Sequence, residues 1–384
     1  MSSDLLQSLN PRQLQAVTAP EKSVLILAGA GSGKTRVLTT RIAWLLSEHK
    51  AQTGDILAVT FTNKAAKEML VRLEAILPYD LRRMWVGTFH GLCNRILRTH
   101  AQDAGLPKTF QILDSSDQLS MVKRVMKALN IDTESYDPRQ VANVINWYKE
   151  NGMRASHAAG QQGGDETAVK VYQAYEQQCQ REGVVDFAEL LLRCYELLDR
   201  NEIVRSHYQN RFRHILVDEF QDTNVLQYRW LQMLAGFGRG PGGAPMNAVF
   251  AVGDDDQNIY EFRGSDSDYM FQLAQRPEAR FIEMTDNFRS ARHPVPFDNE
   301  FVRSIPKRMK HTPIKSMRSE EGWVSVTHHT SEIMYQPLVD ELRCHRHAGT
   351  SCILTQTNEE AVILTGLLRK EGVPCKLIQS MDGF

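Results

Sequence analysis

Residues 28–35 read Ala-Gly-Ala-Gly-Ser-Gly-Lys-Thr, directly after the apolar run 24–27 and directly before a stretch of helical periodicity. Glycines at 29, 31 and 33 let the backbone turn tightly and bring successive N–H groups onto anionic oxygens. The helix that follows aims the positive end of its dipole at the same point. Strand, loop and helix in this order make a phosphate-binding P-loop, whose ligand is a nucleoside triphosphate with Mg²⁺. Ala28, Gly29, Ala30, Gly31, Ser32 and Gly33 would line the phosphates, Lys34 would place a point charge on the β/γ-phosphates, and Thr35 would offer its hydroxyl to Mg²⁺. Ala28 stands where the pattern usually has Gly, a harmless change if its dihedrals are ordinary, since alanine lacks only the freedom of positive φ.

Two further clusters follow apolar runs. His214-Ile215-Leu216-Val217 leads into Asp218-Glu219-Phe220-Gln221-Asp222, which places adjacent carboxylates at the C-terminal end of a strand, the edge where open α/β sheets bind ligands. Asp218 is the candidate Mg²⁺ ligand and Glu219 the candidate to orient or deprotonate an attacking water. Alone, an acidic pair after a strand is commonly a helix cap; the upstream P-loop turns it into a site. The third cluster is Gly253-Asp254-Asp255-Asp256-Gln257-Asn258-Ile259-Tyr260-Glu261-Phe262-Arg263. An amide at Gln257 can sense a γ-phosphate, and the aromatics and arginine after it suit a planar partner.

The elements that must position these groups are legible as periodicity. Short apolar runs at 24–27, 56–62, 215–217, 248–252 and 281–284 alternate with amphipathic segments, which predicts an α/β core, a parallel sheet covered by helices. Val37, Leu38, Ile42, Leu45 and Leu46 form one stripe facing that sheet. Between about 92 and 212 the strand signal gives way to helical periodicity at 118–129, 169–181 and 187–199, predicting an inserted helical domain. The Gly/Gln-rich stretch 159–164 and the Gly/Pro-rich stretch 236–245 are expected to be loops, the second of them mobile. A new unit is expected from about 288, with strands at 324–327 and 352–354 and a helix over 359–370 stopped by Gly372.

Composition narrows the class. A hydrophobic content of 42% in 384 residues supports a sizeable core and two or three domains. With a net charge of -1, any nucleic-acid surface must come from local charge placement. Six scattered cysteines without a C-x-x-C pair argue against a zinc ribbon, an iron–sulfur cluster or a disulfide framework and point to a reducing cytosol. His328-His329 and Cys344-His345-Arg346-His347 lack the paired spacings of a tetrahedral metal site. No export signal or run of eighteen apolar residues is seen, so the expected location is cytoplasmic, without a membrane.

The segments LAGAGSGKT, AVTFTNKAAKEM, WVGTFHG, FQILDSSDQ, VDFAELLLR, ILVDEFQD, VGDDDQNIYEFRG and NFRS occur in this order. That set resembles the UvrD/Rep/PcrA branch of superfamily-one DNA helicases, at motif strength over roughly the first 290 residues and more weakly to the end. The resemblance implies a P-loop NTPase of RecA-like fold. Its first core domain would comprise residues 1–91 and 213–286, with a helical insertion at 92–212 and the beginning of a second RecA-like domain at 287–384.

The resemblance further implies that Gln13 reads the adenine edge, Arg36 lies close to the nucleotide, Gln257 sits at the γ-phosphate, and Arg289 acts as an arginine finger. Phe288 stands where the family usually has Tyr; ring stacking on adenine survives and a hydroxyl contact is lost. For single-stranded DNA it points to Phe61, Thr62, Asn63, Thr88, Phe89, His90, Tyr260, Phe262 and Arg263, aromatics and small polar groups suited to sequence-tolerant stacking. Read without the resemblance, Phe61 and Phe89 are more often core residues and His90 a structural histidine.

The implied activity is ATP-dependent 3′–5′ unwinding in DNA repair or replication restart, on single-stranded DNA and single/double-strand junctions, with repair-protein partners. Two late family motifs, V-x-x-x-K-G-L-E and V-A-x-T-R-A, are not found before Phe384. This polypeptide is therefore expected to bind Mg-ATP but to hydrolyse it slowly and unwind poorly. The competing readings are an ATP-gated single-strand-binding module working through a partner and a metabolic P-loop kinase. The kinase would make no use of Phe61, Phe89 or Phe262.

Overall fold

Side chains along a strand alternate between two faces, so a strand that is apolar at every position must be covered on both sides. That is how the four inner strands of the central sheet are built. The protein is described by a computed structural model covering residues 2–78, 80–159, 165–240, 243–258, 268–305, 308–328, 335–344 and 349–378. Six parallel strands, β1 (Val24–Ala28), β2 (Ile56–Thr60), β3 (Trp85–Thr88), β4 (His214–Val217), β5 (Ala248–Gly253) and β6 (Arg280–Met284), lie in the order β3-β2-β4-β5-β1-β6. Leu25, Leu27, Leu57, Val59, Ile215 and Val217 enter one core. Val24, Ile26, Ala28, Ile56, Ala58 and Leu216 enter the other, where Val37, Leu38, Ile42 and Leu46 of helix Lys34–Ser47 meet them.

Because β1 pairs with β5 and β5 with β4, all parallel, the C-terminal ends of these three strands are neighbours on one edge. The three chemical motifs of the sequence start from those ends. Strand β3 is not signalled by periodicity: it is four residues long, contains Gly87, and sits at the margin of the sheet beside β2.

Helices Ser115–Ala128, Glu166–Glu182 and Phe187–Arg200 match the segments expected at 118–129, 169–181 and 187–199; the first two, with helix Pro138–Glu150, which was not among those expected, gather a core of their own around Met126, Ile145, Tyr172 and Tyr175. Helices Phe187–Arg200 and Glu202–Arg211 do otherwise: Leu190, Leu191, Leu197 and Val204 pack into the sheet-side core. Among the described residues the region from 92 to 212 consists of helices and their connections apart from the two-residue pairing of Gln111–Ile112 with Val184–Val185, but its packing is shared between two cores.

The chain separates into compact units 1–322 and 323–384. In the second unit, helix Asn358–Lys370 starts at a capping box between Thr357 and Glu360, and Gly372 after its end has φ 74°. Segments 324–327 and 352–354, expected as strands, form none. A strand needs a neighbour for its backbone N–H and C=O groups, and no ladder exists among the described residues of this unit. Among the described residues no helix is long and apolar enough to cross a membrane, and all six cysteines are free.

Candidate active site

Helix Lys34–Ser47 begins at Gly33, whose φ of 90° lies in the left-handed region and whose position offers no side-chain cap. Its first N–H groups therefore have no capping side chain and face the loop, where an anion can take them. Gly31 (φ 71°) is needed for a second reason: a Cβ added there would lie 2.6 Å from the Arg289 Cβ and 2.8 Å from the Asn287 Oδ1. Within the loop Ser32 Oγ donates to the Gly29 carbonyl at 2.6 Å, and Gln13 Nε2 donates to the Ser32 carbonyl at 3.0 Å. Ala28 is fully buried as the last residue of β1.

Gln13 is 1% exposed and stands at the third position of helix Pro11–Val17, with its Oε1 accepting from the Asn10 N–H. One hydrogen and one lone pair of its amide are thus used among the described residues. Arg36 donates to the Ser8 carbonyl and hydroxyl at 2.9 and 2.7 Å, which fastens the N-terminal segment to the P-loop helix.

Opposite the loop, Asp218 continues the ladder of β4 by donating its N–H to the Val59 carbonyl at 3.0 Å. Glu219 then turns into the left-handed region at φ 47°, a strained conformation for a residue with a Cβ. The turn brings Glu219 Oε2 to 2.6 Å from Lys34 Nζ. Gln221, 1% exposed, donates to the same oxygen at 2.9 Å and accepts the Asp254 N–H at 3.0 Å. A continuous polar chain therefore runs from the P-loop lysine across two strand ends to the third motif. Asp254 Oδ2 in turn accepts Gln257 Nε2 at 2.5 Å.

Three carboxylates crowd one lysine here. Burial, with the neighbouring Glu219 charge, pushes the Asp218 carboxyl up to about 6 and the Asp222 carboxyl up to about 7. Asp222 Oδ1 is buried without a hydrogen-bond partner among the described residues. A donor set short of positive charge, made of hard oxygens beside an anion-binding loop, fits a divalent cation.

The segment after β6 closes over the loop. Asn287 is fully buried, donates through Nδ2 to the Ala30 carbonyl at 2.9 Å, and accepts the Arg289 and Ser290 N–H groups at 2.9 and 2.7 Å. Phe288 donates its N–H to the Gly31 carbonyl at 2.9 Å and leaves its ring 45% exposed. Arg289 is exposed at this turn. Asn287 and Gln221 are fixed parts of the site that sequence alone does not reveal: both lie inside recognisable motifs, but only the fold brings their amides onto separate strand ends.

Further along the same C-terminal edge, after β2 and β3, Thr62 and Thr88 are N-caps, accepting the N–H groups of Ala65 at 3.1 Å and Gly91 at 3.2 Å. Asn63 is exposed, and Phe61 is half-buried against the sheet-side core. The structure corrects one expectation. Phe89 is 3% exposed and meets Trp230 edge-on at 5.8 Å, so its ring is core and no base can stack on it. His90 beside it is half-buried; burial pushes its imidazole below the usual histidine range, opposed by the Asp186 carboxylate, which favours the neutral ring. It faces Phe187 at 6.3 Å and 81°. Phe187, 53% exposed, belongs to the VDFAELLLR motif and is the first residue of its helix. Tyr260, Phe262 and Arg263 lie outside the described residues, as do His329 and 345–347.

Comparison with known proteins agrees with this geometry. Residues 9–278 match the model of the UvrD/REP helicase N-terminal domain. DNA helicase II of Escherichia coli (strain K12) is 47% identical over 307 residues, 79% of this chain and 42% of that protein. DNA helicase II of Haemophilus influenzae is 44% identical over 312 residues, 80% and 42% of the respective chains. ATP-dependent DNA helicase PcrA of Staphylococcus epidermidis is 34% identical over 385 residues, 97% of this chain and 51% of that protein. The chain thus spans about half the length of these curated relatives or somewhat less. With the P-loop, the acidic strand end and the covering Asn-Phe-Arg-Ser turn joined on one sheet edge, the chain belongs to the UvrD/REP helicase family.

Proposed function

We propose that this chain carries the ATP-driven core of a 3′–5′ DNA helicase, binding Mg-ATP at the P-loop and single-stranded DNA further along the same sheet edge. The carrying observation is the contact of Lys34 with Glu219, which joins the phosphate loop to the acidic strand end in one electrostatic unit. Lys34 holds the β/γ-phosphates, Gln13 and Phe288 take the adenine, and Arg36 secures the loop. Thr35 and Asp218 would hold Mg²⁺, which when bound neutralises phosphate charge. Glu219 orients the attacking water once Lys34 turns to the phosphates. Gln257 reads the γ-phosphate and Arg289 stabilises charge on it in the transition state. Residues 1–91 and 213–286 form the first RecA-like domain, 92–212 its insertion, and 287–384 the beginning of the second.

Phe61, Thr62, Asn63, Thr88, His90, Tyr260, Phe262 and Arg263, joined by Phe187, make the DNA face. The test of the whole reading is ATP turnover with and without oligo-dT. Stimulation by DNA that falls with salt supports it, because phosphate contacts release counterions; turnover indifferent to DNA overturns it. A narrower prediction concerns Phe187. Its ring is half out of the core, so Phe187→Ala is expected to leave folding unchanged and to weaken oligo-dT binding by about 1–3 kcal/mol, the worth of one stacked base. Fluorescence anisotropy measures this, and unchanged affinity would make Phe187 a mere surface ring.

A further inference from the structure

Asp254, Asp255 and Asp256 bring their carboxylate oxygens within 4.8 Å of one another, close enough to hold a cation, yet the protein fills that position itself. Lys310, 5% exposed, puts its ammonium on Asp254 Oδ1 and, at 2.8 Å, on Asp256 Oδ2. Arg308 forks Asp256 at 2.6 and 2.8 Å, and the Met309 N–H is given to Asp255 Oδ2 at 2.5 Å. The three donors are consecutive residues of the strap that follows helix Pro294–Val302. Further on, the strap is pinned by Asn299, whose amide bonds both the N–H and the carbonyl of Ile314 at 2.9 and 2.8 Å. It then reaches the arginine turn: Ser316 Oγ donates to the Ser290 carbonyl at 2.8 Å, and Arg318 Nη1 donates to the Arg289 carbonyl at 3.1 Å.

We infer that Lys310 is a positioning residue for the nucleotide reaction: by holding Asp254 in place it aims the Gln257 amide, and it joins that amide to the strap that carries the Arg289 turn. The inference rests on the proposed γ-phosphate role of Gln257. One hydrogen of the Gln257 NH₂ is engaged by Asp254 Oδ2, which fixes the plane of the amide and leaves its second hydrogen and its carbonyl for the nucleotide or the attacking water. Asp254 is 1% exposed and stands beside Asp256. Without the ammonium between them the two carboxylates repel, the acceptor moves, and the amide loses its aim. The same ammonium is held firmly charged, since the Asp254 and Asp256 carboxylates outweigh its burial.

The test is γ-phosphate discrimination by the full 384-residue chain, measured by calorimetric titration with Mg-AMPPNP and Mg-ADP. Lys310→Met is expected to lower the ratio of the two affinities roughly tenfold, the worth of one charge-assisted hydrogen bond, with ADP affinity little changed. Lys310→Arg should restore the ratio. Arg308→Met, which loosens the strap without touching Asp254, should leave the ratio within about twofold, whereas a purely structural role for the strap predicts equal losses in both variants. Lys310→Gln, which keeps a donor but not the charge, replaces Lys310→Met if that variant does not fold. A wild-type chain that binds both nucleotides equally removes the γ-phosphate role of Gln257 and this inference with it. A wild-type preference that survives intact in the Lys310 variants overturns the inference alone.

Discussion

Lys34→Ala is expected to abolish the response of this protein to Mg-ATP. In the structure Lys34 is the cation set against Asp218, Glu219 and Asp222, and it contacts Glu219 at 2.6 Å. An incoming triphosphate meets a site whose carboxylate charge that ammonium partly offsets; with alanine it meets the carboxylates without that offset. The loss therefore combines a missing attraction with a new repulsion, which Mg²⁺ alone offsets only in part. Removal of one preorganised donor to developing charge commonly costs on the order of 10²–10³ in turnover. A second readout is independent of turnover. Nucleotide at a hundred times its Kd should stabilise the wild-type chain by about 2.7 kcal/mol, and that gain should vanish in Lys34→Ala. Thermal melts with and without Mg-AMPPNP check it: an equal rise in both chains would place the triphosphate somewhere else.

The site was legible because its chemistry is written in short contiguous runs. A glycine pattern before a lysine, or two acids after an apolar strand, predicts where a phosphate and a metal would lie without knowing the rest of the fold. Side chains that act across the sheet were invisible for the converse reason. Gln221 bonds to Asp254, 33 positions away, and Asn287 bonds to Ala30 at a separation of 257; each amide was chosen by a partner that only folding brings near. The apolar strands were readable because burial on two faces leaves no polar position to confuse the pattern. Strand β3, with Gly87 and Thr88 among its four residues, offered neither length nor alternation. Phe89 shows the limit of motif reading, since a ring inside a segment that the family resemblance assigns to DNA is core when its helix buries that face.

The helical region holds the second large effect. Lys149 and Asp186 are each 2% exposed and joined at 2.7 Å, with Glu189 at 3.0 Å from the same ammonium. Tyr175 donates to Asp186 Oδ2 at 2.8 Å, and Arg154 links Glu189 to Glu176 and Glu196. This network ties helices Pro138–Glu150 and Glu166–Glu182 to helix Phe187–Arg200, which packs on the sheet-side core. Lys149→Met should cost about 3–5 kcal/mol, because it leaves two buried carboxylates facing each other rather than because the ion pair itself is strongly stabilising. The pH dependence has a definite sign. The lysine and two arginines hold the Glu189 carboxyl well below the usual carboxylate range despite its burial, and Lys149 is raised above the usual lysine range. Glu189 therefore contributes stability that is complete above its unfolded value of about 4.3 and is lost as pH falls toward its folded value; the Lys149 contribution is complete below about 10.4 and is lost as pH rises past it. Acidification from pH 6 to pH 3 should thus destabilise this region in the wild type and less so in Glu189→Gln, read by hydrogen exchange in helix Pro138–Glu150. Asp186 also caps the helix that starts with Phe187, accepting the Glu189 N–H at 2.7 Å. Glu189 sits in the first turn of that helix, so loss of its ion pairs on acidification should also loosen the ring beside His90 and weaken oligo-dT binding before the P-loop domain unfolds. Exchange that quickens in all helices together would overturn that order.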